Sequence, residues 1–451
     1  MPCRITIAQL SEILALTPEN LSQKALAMLA TGISTDTRSL TPGEVFLALR
    51  GENFDGHEFV ASAVDKGAIA IITDLASNVQ LPEDIPQLQV ADTLQAYQAL
   101  ARWWRDRFTI PVIAVTGSFG KTTTKELIAA VLSTKGRVLK TQANYNNEIG
   151  VPKTLLELEP EHDFAVIEMA MRGRGQIAEL TQIAHPTLGV ITNVGTAHIG
   201  LLGSEEAIAQ AKCELLVEMS STGIAILNQD NHLLMETAAK VWQGETIAYG
   251  LEGGDLQGKL INSDTVSVEG MQLPLPLPGR HNALNYLAAL AVAKVLKIDW
   301  KPLTDGLPVQ LPEGRAKRYD LPNDIVILDE TYNAGLESMV AALHLLAQTP
   351  GKRHIAVLGT MKELGERSAQ FHRQVGATVR ELNVDALLVL TDDPQAEAIA
   401  EGAKPMPSEC FKTHAAVVER LKEVVREGDR ILFKASHSVG LDRVVNQFRQ
   451  L

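Results

Sequence analysis

The sequence predicts an α/β protein made of three units in a row, and three observations lead there. Its 451 residues exceed what one ordinary core accommodates. Short apolar runs alternate with helical patterns along most of the chain. Polar residues stand directly after those runs, where open α/β sheets keep their ligand crevices: Thr116 and Gly117, Glu168, Asn193, Asn228, Asp329 and Glu330, Gly359, Thr391 and Asp392, and Lys434.

Residues 1–95 read as a small mixed α/β unit, with apolar pieces at Glu44–Leu49 and Ala68–Ile72. The stretch Leu81–Gln89 is a boundary region, and a helix carrying Leu94, Tyr97, Leu100, Ala101 and Trp104 leads onward. Residues 96–311 form the central unit. Its strands Val112–Val115, Phe164–Ile167, Leu188–Thr192 and Gly223–Leu227 are short and apolar, as in a parallel sheet buried on both faces. The stretch 245–277 is rich in Gly, Pro and alternating polar residues and predicts short antiparallel strands. A long helix over Asn282–Leu296 follows. In residues 312–451, the runs Ile325–Leu328, His354–Leu358, Ala386–Leu390 and Arg430–Phe433 predict a second, Rossmann-like parallel sheet.

Hydrophobic residues make up 45% and charged residues 21%, the balance of a globular protein. A net charge of −13 speaks against a non-specific nucleic-acid binder. The three cysteines, Cys3, Cys213 and Cys410, have no paired spacing, which fits a reducing cytoplasm better than a disulfide framework or thiolate metal site. The first residues lack the pattern of a signal peptide, and no apolar run reaches the roughly 18 residues of a membrane span. The expectation is a soluble cytoplasmic protein, monomeric, with no nucleic-acid partner.

Chemistry concentrates first at Gly117-Ser118-Phe119-Gly120-Lys121-Thr122-Thr123, directly after the central unit's first strand. A strand, a glycine-rich turn and a helix form a cradle of N–H groups for phosphate; Lys121 adds charge and Thr122 offers a hydroxyl to magnesium. Val115 stands where the usual eight-residue pattern begins with Gly, but the stripe Leu127, Ile128, Val131 and Leu132 supports the helix. The central unit is thus expected to be a P-loop ATPase-type domain using ATP or another nucleoside triphosphate with Mg2+.

Glu168 ends a strand beside that loop and is either an ordinary strand terminus or a carboxylate ligand for magnesium. His198, just past another strand end, is either solvated or part of the same site. Lys212 shares a helix face with Ile208, Leu215 and Leu216, in a helix opened by Ser204, Glu205 and Glu206. Such a lysine snorkels, or, if buried, favours the neutral amine and can take up carbon dioxide as a carbamate. Asn144, Asn146 and Asn147 suit either a ligand oxygen or a turn. The turn Pro278-Gly279-Arg280-His281-Asn282 offers an adenine seat, and Arg315 and Lys434 are candidate clamps for phosphate or carboxylate. Ser34-Thr35-Asp36-Thr37-Arg38 and Gly51–Phe59 combine hydroxyls, glycines and an arginine suited to a nucleotide-like substrate, or simply form polar loops.

Together these segments resemble the Mur ligase family, ATP-dependent amide-forming enzymes of peptidoglycan synthesis, over almost the whole chain. Thr116–Thr123 is similar to the family's ATP loop, where a residue other than Gly at position 115 is usual; Ile191–His198, Ala211-Lys212 and Pro278–Asn282 also match. Glu330–Ala334 and Val357–Glu366 resemble the branch that joins D-alanyl-D-alanine to UDP-N-acetylmuramoyl-tripeptide. The resemblance implies a carbamylated Lys212, with Lys121, Glu168, His198 and Lys212 catalytic. It implies metal ligation by Thr122, Glu168, His198 and Lys212. Gly117, Ser118, Phe119, Gly120, Lys121, Thr122, Thr123, Asn282, Arg315 and Asp329 would bind nucleotide. Ser34, Thr35, Asp36 and Arg38 would hold the uridine nucleotide, and Tyr332 and Asn333 the dipeptide side.

The chain departs from the branch pattern at three places. Asp329–Leu336 replaces two aspartates followed by Ser-Tyr-Asn-Ala-Asn-Pro, Met169–Gly175 replaces a Gly- and Asn-containing segment, and Lys434-Ala435-Ser436-His437 replaces Lys-Gly-Ser-Arg. The Asp-Asn-Pro-Arg segment of the diaminopimelate-adding branch is absent, which favours the dipeptide acceptor. A ligase adding one amino acid and a nucleotide-binding switch without ligase activity are the alternatives.

Overall fold

Val112–Thr116 runs through a nine-stranded sheet with all five residues buried, as its unbroken apolar and β-branched composition demands. The computed structural model containing it describes residues 3–17, 21–51, 54–77, 82, 85–391 and 393–450. Asp392, parts of the Leu81–Gln89 boundary region and residues 52–53 of the Gly51–Phe59 loop lie outside the described residues.

From one edge, the central sheet runs Val138–Lys140, Phe164–Glu168, Val112–Thr116, Leu188–Ile191, Ile224–Asn228 and Glu245–Gly250, all parallel. Leu256–Asn262, Thr265–Val268 and Met271–Pro274 complete it as an antiparallel meander. The stretch 245–277 therefore divides, against the expectation of antiparallel strands throughout. The helix His232–Val241 carries the chain back over the sheet before Glu245–Gly250, and such a crossover returns a strand parallel. The phosphate-loop helix Lys121–Ser133 packs one face through Leu127, Ile128, Val131 and Leu132, against Tyr286, Leu287 and Leu290 of the long helix Arg280–Val295.

The first unit has a four-stranded parallel sheet, Ile33–Ser34, Val45–Leu47, Ala70–Asp74 and Gln87–Val90. Gln87–Val90 occupies what the sequence marks as boundary, because its alternation of Gln with Leu and Val spans only four residues. Asp92 then caps the helix Thr93–Arg105, accepting from the N–H groups of Leu94 and Gln95. Tyr97, Leu100 and Ala101 of this helix join a core shared with Val45 and Leu47 of the first sheet and Val112 and Leu155 of the central unit.

In the third unit the order is Lys317–Leu321, Ile325–Asp329, Asp429–Lys434, Arg353–Gly359, Ala386–Leu390 and Ser408–Phe411; only the first of these is antiparallel. The last strand in sequence lies mid-sheet, which gathers the ends at Asp329, Gly359 and Lys434. No described helix is long and apolar enough to cross a membrane.

Candidate active site

The phosphate loop is shaped by two glycines. At Gly117 (φ 152°) a Cβ would lie 1.9 Å from Thr192 Oγ1; at Gly120 (φ 77°) it would lie 2.6 Å from Asn285 Oδ1. Asn193 pins the loop from the adjacent strand end. Its Oδ1 accepts from the Phe119 N–H at 3.0 Å and its Nδ2 donates to the Phe119 carbonyl at 3.0 Å. The Ser118 N–H donates to the Asn193 carbonyl at 3.1 Å, and the Thr192 hydroxyl to the Phe119 carbonyl at 2.7 Å. The amides of Ser118 and Phe119 thus serve the loop itself. Those of Gly120, Lys121, Thr122 and Thr123, at the start of the helix, have no acceptor among the described residues and are available to phosphate.

Lys121 curls back to donate to the Gly117 carbonyl at 2.8 Å, and burial lowers its pKa, opposed by the nearby Glu168 carboxylate. The same ammonium is felt by His198 and Lys212, and Arg315 acts on it in turn. Five residues from two units therefore share one electrostatic neighbourhood.

Glu168 is buried at its strand end. Its Oε1 accepts from Asn146 Nδ2 at 2.8 Å, while Oε2 is buried without a hydrogen-bond partner, 4.0 Å from Lys125 Nζ. A buried carboxylate oxygen with no hydrogen-bond partner fits a magnesium ion, which prefers oxygen donors. No three His, Cys, Asp or Glu side chains converge among the described residues, so phosphate oxygens and water would complete any such shell. Of the other asparagines, Asn147 accepts from the Gly150 N–H at 2.9 Å, a turn role, and Asn144 lines the cleft.

Lys212 is 1% exposed in the helix Glu205–Glu218, which Ser204 caps. Burial and then the charge of Lys121 hold its pKa well below the ordinary lysine value, and it makes no ion pair among the described residues. A buried neutral amine is the form that captures carbon dioxide, so the side chain fits the carbamate. His198, in left-handed conformation (φ 65°), is lowered first by burial and then by Lys121. Its Nδ1 is hydrogen-bonded to Oε2 of Glu363, a residue of the third unit.

A cavity of about 390 Å³ joins the central and third units; Thr122 and Asn144 line one side, Arg315, Asp329, Tyr332 and His437 the other. The Arg315 guanidinium lies 3.8 Å from the Tyr332 ring centroid, and Tyr332 stacks on His437 at 5.3 Å. Arg315 Nε is buried and without a hydrogen-bond partner. Burial raises Asp329, whose Oδ1 accepts from the Thr331 N–H and hydroxyl at 3.1 and 2.6 Å.

Other candidates are committed elsewhere. Lys434 is buried and donates to the Asn333 carbonyl at 2.9 Å, bracing the turn that carries Tyr332 rather than reaching into the cleft. Asn333 Oδ1 accepts from the Ala334 N–H at 2.9 Å. Asn282 is buried, donating to the Pro278 carbonyl at 2.8 Å and accepting from Asn285 at 3.3 Å. Asn285, which the sequence reading missed, also accepts from the Thr124 hydroxyl at 3.1 Å and so ties that helix to the phosphate-loop helix. Its signal was its place three residues after Asn282, on the same helix face.

In the first unit, Ser34 donates to the Asp36 carbonyl at 3.1 Å, and Asp36 accepts from the Arg38 N–H at 2.9 Å. Hydrogen bonding from Arg38 pulls the Asp36 carboxyl down to about 2. Lys153 and Tyr145 contribute to the charge field at Asp36 and Arg38, so residues 34–38 adjoin the central loop that carries Asn144 and Asn146. They stand apart from the cavity lined by Arg315 and Tyr332.

The chain is similar to known proteins over nearly its whole length. Family models match over residues 30–105 (Mur ligase family, catalytic domain), 115–293 (Mur ligase middle domain) and 314–437 (Mur ligase, glutamate ligase domain). A UDP-N-acetylmuramoyl-tripeptide--D-alanyl-D-alanine ligase of Synechocystis sp. is 61% identical, over 92% of this chain and 91% of its own length. One from Escherichia coli is 36% identical over 99% and 98%. Among solved structures, MurF from Acinetobacter baumannii superposes with a TM-score of 0.88 at 31% identity, covering 100% of both chains. MurF ligase from Thermotoga maritima in complex with ADP gives 0.83 at 31% identity, over 93% of this chain and 97% of that one. The motifs, the facing strand ends and the full-length matches together make this chain a member of the Mur ligase family.

Proposed function

We propose that the chain joins D-alanyl-D-alanine to UDP-N-acetylmuramoyl-tripeptide, converting ATP to ADP and phosphate and giving UDP-N-acetylmuramoyl-pentapeptide. The observation that carries this reading is the shared neighbourhood of Lys121, Glu168, His198, Lys212 and Arg315, where the central and third sheets face each other. Residues 1–95 hold the uridine nucleotide through Ser34, Thr35, Asp36 and Arg38, residues 96–311 bind ATP, and residues 312–451 bring the acceptor. The reaction belongs in the cytoplasm, where ATP is supplied.

The N–H groups of Gly120, Lys121, Thr122 and Thr123 and the Lys121 ammonium cradle the phosphates. Thr122 and the Glu168 Oε2, which accepts no hydrogen bond, would hold one magnesium ion; His198 and a carbamate on Lys212 would hold another. When bound, magnesium neutralises charge developing on the transferred phosphoryl group. The carbamate forms when the neutral Lys212 amine attacks carbon dioxide and releases a proton. The peptide carboxylate attacks the γ-phosphorus, its O–P bond forming as the bond to ADP breaks. The dipeptide amine then attacks the acyl carbon; the tetrahedral intermediate loses a proton and expels phosphate. Arg315, stacked on Tyr332, is placed to meet the phosphates from the third unit, and closure of the cleft keeps water from the acyl phosphate.

The test is incubation with ATP, magnesium chloride and the UDP-linked tripeptide, with D-alanyl-D-alanine or single amino acids as acceptors. The reading expects phosphate release that depends on the dipeptide and a product of pentapeptide mass. Amide formation with a single amino acid, or phosphate release indifferent to any acceptor, overturns it.

A further inference from the structure

The third unit grips one short segment of the central unit at several points. The Glu337 carboxylate accepts from the Thr196 N–H at 2.7 Å and the Thr196 hydroxyl at 3.2 Å. The Gly200 N–H donates to the Glu363 carbonyl at 3.1 Å. The backbones of Gly200 and Gly365 touch so closely that a Cβ on Gly200 would lie 2.5 Å from the Gly365 nitrogen. At the centre of this contact the Glu363 side chain meets His198 Nδ1 with one oxygen and Arg172 Nη2 with the other, the latter at 2.7 Å. Glu363 itself is held at φ 62°, a left-handed conformation that L-residues adopt only at a cost. Surface complementarity alone does not require a carboxylate in that strained position, directed onto an imidazole.

A carboxylate only accepts hydrogen bonds, so the proton it shares with His198 sits on Nδ1 and the lone pair is left on Nε2. We propose that Glu363 is a positioning residue: the third unit's carboxylate fixes the tautomer and ring orientation of His198, so Nε2 is presented for metal binding only when that unit is seated. The inference rests on the reading of His198 as a metal ligand. It adds that the seating of the acceptor-bearing unit and the assembly of the phosphate-transfer site are one event. Carboxylate partners of metal-binding histidines act in this way, and their loss commonly weakens metal binding by about 10- to 100-fold.

The test compares the full-length protein with Glu363→Ala, Glu363→Gln and Arg172→Ala. Nitrogen NMR of the metal-free protein with ¹⁵N-labelled histidine reads the His198 tautomer. Electron paramagnetic resonance reads Mn2+ binding in the presence of β,γ-methylene-ATP. The expected results are an Nδ1-protonated His198 in the unsubstituted protein, loss of that preference in Glu363→Ala, and Mn2+ binding weakened about tenfold or more. Glu363→Gln, which keeps an acceptor oxygen, should stay within about threefold of the unsubstituted protein, as should Arg172→Ala, which removes the partner of the other Glu363 oxygen and leaves the Glu363–His198 bond in place.

An Nε2-protonated His198 in the unsubstituted protein, or unchanged Mn2+ binding in Glu363→Ala, overturns the proposal. So does an Arg172→Ala loss equal to that of Glu363→Ala, since a loosened interface would then explain both. Absence of pentapeptide in the acceptor assay would instead sink the ligase reading, and neither the tautomer nor the Mn2+ readout depends on that assay.

Discussion

Asn193 holds the peptide group of Phe119 at both ends, its amide oxygen accepting from the N–H and its amide nitrogen donating to the carbonyl, each at 3.0 Å. One side chain at a neighbouring strand end thus sets the curvature of the phosphate loop. Asn193→Ala removes both bonds; the Phe119 carbonyl still accepts from the Thr192 hydroxyl, but the Phe119 N–H is left unsatisfied, a loss of about 1–3 kcal/mol. The KM for ATP should rise about tenfold while the melting temperature falls modestly. Asn193→Asp, which lacks the donor, should give a similar KM in steady-state kinetics.

Lys212 is buried, and its pKa is lowered, so its amine is neutral over a wider range of pH than an exposed lysine's. As pH falls, protonation competes with carbon dioxide for that amine. Activity lost in carbonate-free, mildly acidic buffer should therefore return on adding bicarbonate. Lys212→Gln should lower kcat by about 100-fold or more and abolish the bicarbonate response. A carbamate carbon signal after ¹³C-bicarbonate treatment, absent in the variant, checks the same point directly.

The Arg315 guanidinium lies over the Tyr332 ring, and a lysine keeps the charge but not the planar group. Arg315→Lys should lower kcat about tenfold and Tyr332→Ala by a similar factor, with the double variant little worse than either single one. Pre-steady-state measurement of acyl-phosphate formation locates the loss. If the two effects multiply, the stack is not the working unit.

His281 is pushed down to about 4 by burial and by the charge of Lys434. Its folded-state pKa is below the unfolded value of about 6.5, so the unfolded chain binds more protons between those values. The stability it contributes is complete above pH 6.5 and is lost as pH falls toward 4. Denaturant titrations across that window should show a stability slope of up to about one proton that His281→Gln removes. An unchanged slope in the variant would assign the titration to other histidines.

How much of this was legible in the linear chain follows from the range of each interaction. The strand ends at Thr116, Glu168 and Asp329, the phosphate loop and the buried face carrying Lys212 were readable because period, turn chemistry and capping act over a few neighbouring residues. The parallel strand Glu245–Gly250 and the four-residue strand Gln87–Val90 were misread, since a short weakly patterned run takes its direction and membership from the sheet it joins. Asn193 meets Phe119 across 74 positions, Asn285 meets Thr124 across 161 and Glu363 meets His198 across 165. No local pattern encodes such pairs. They arise from the order in which strands enter a sheet and from how one unit seats on another, so the chain foretold the chemistry it carries, while folding in three dimensions chose the residues that hold that chemistry in place.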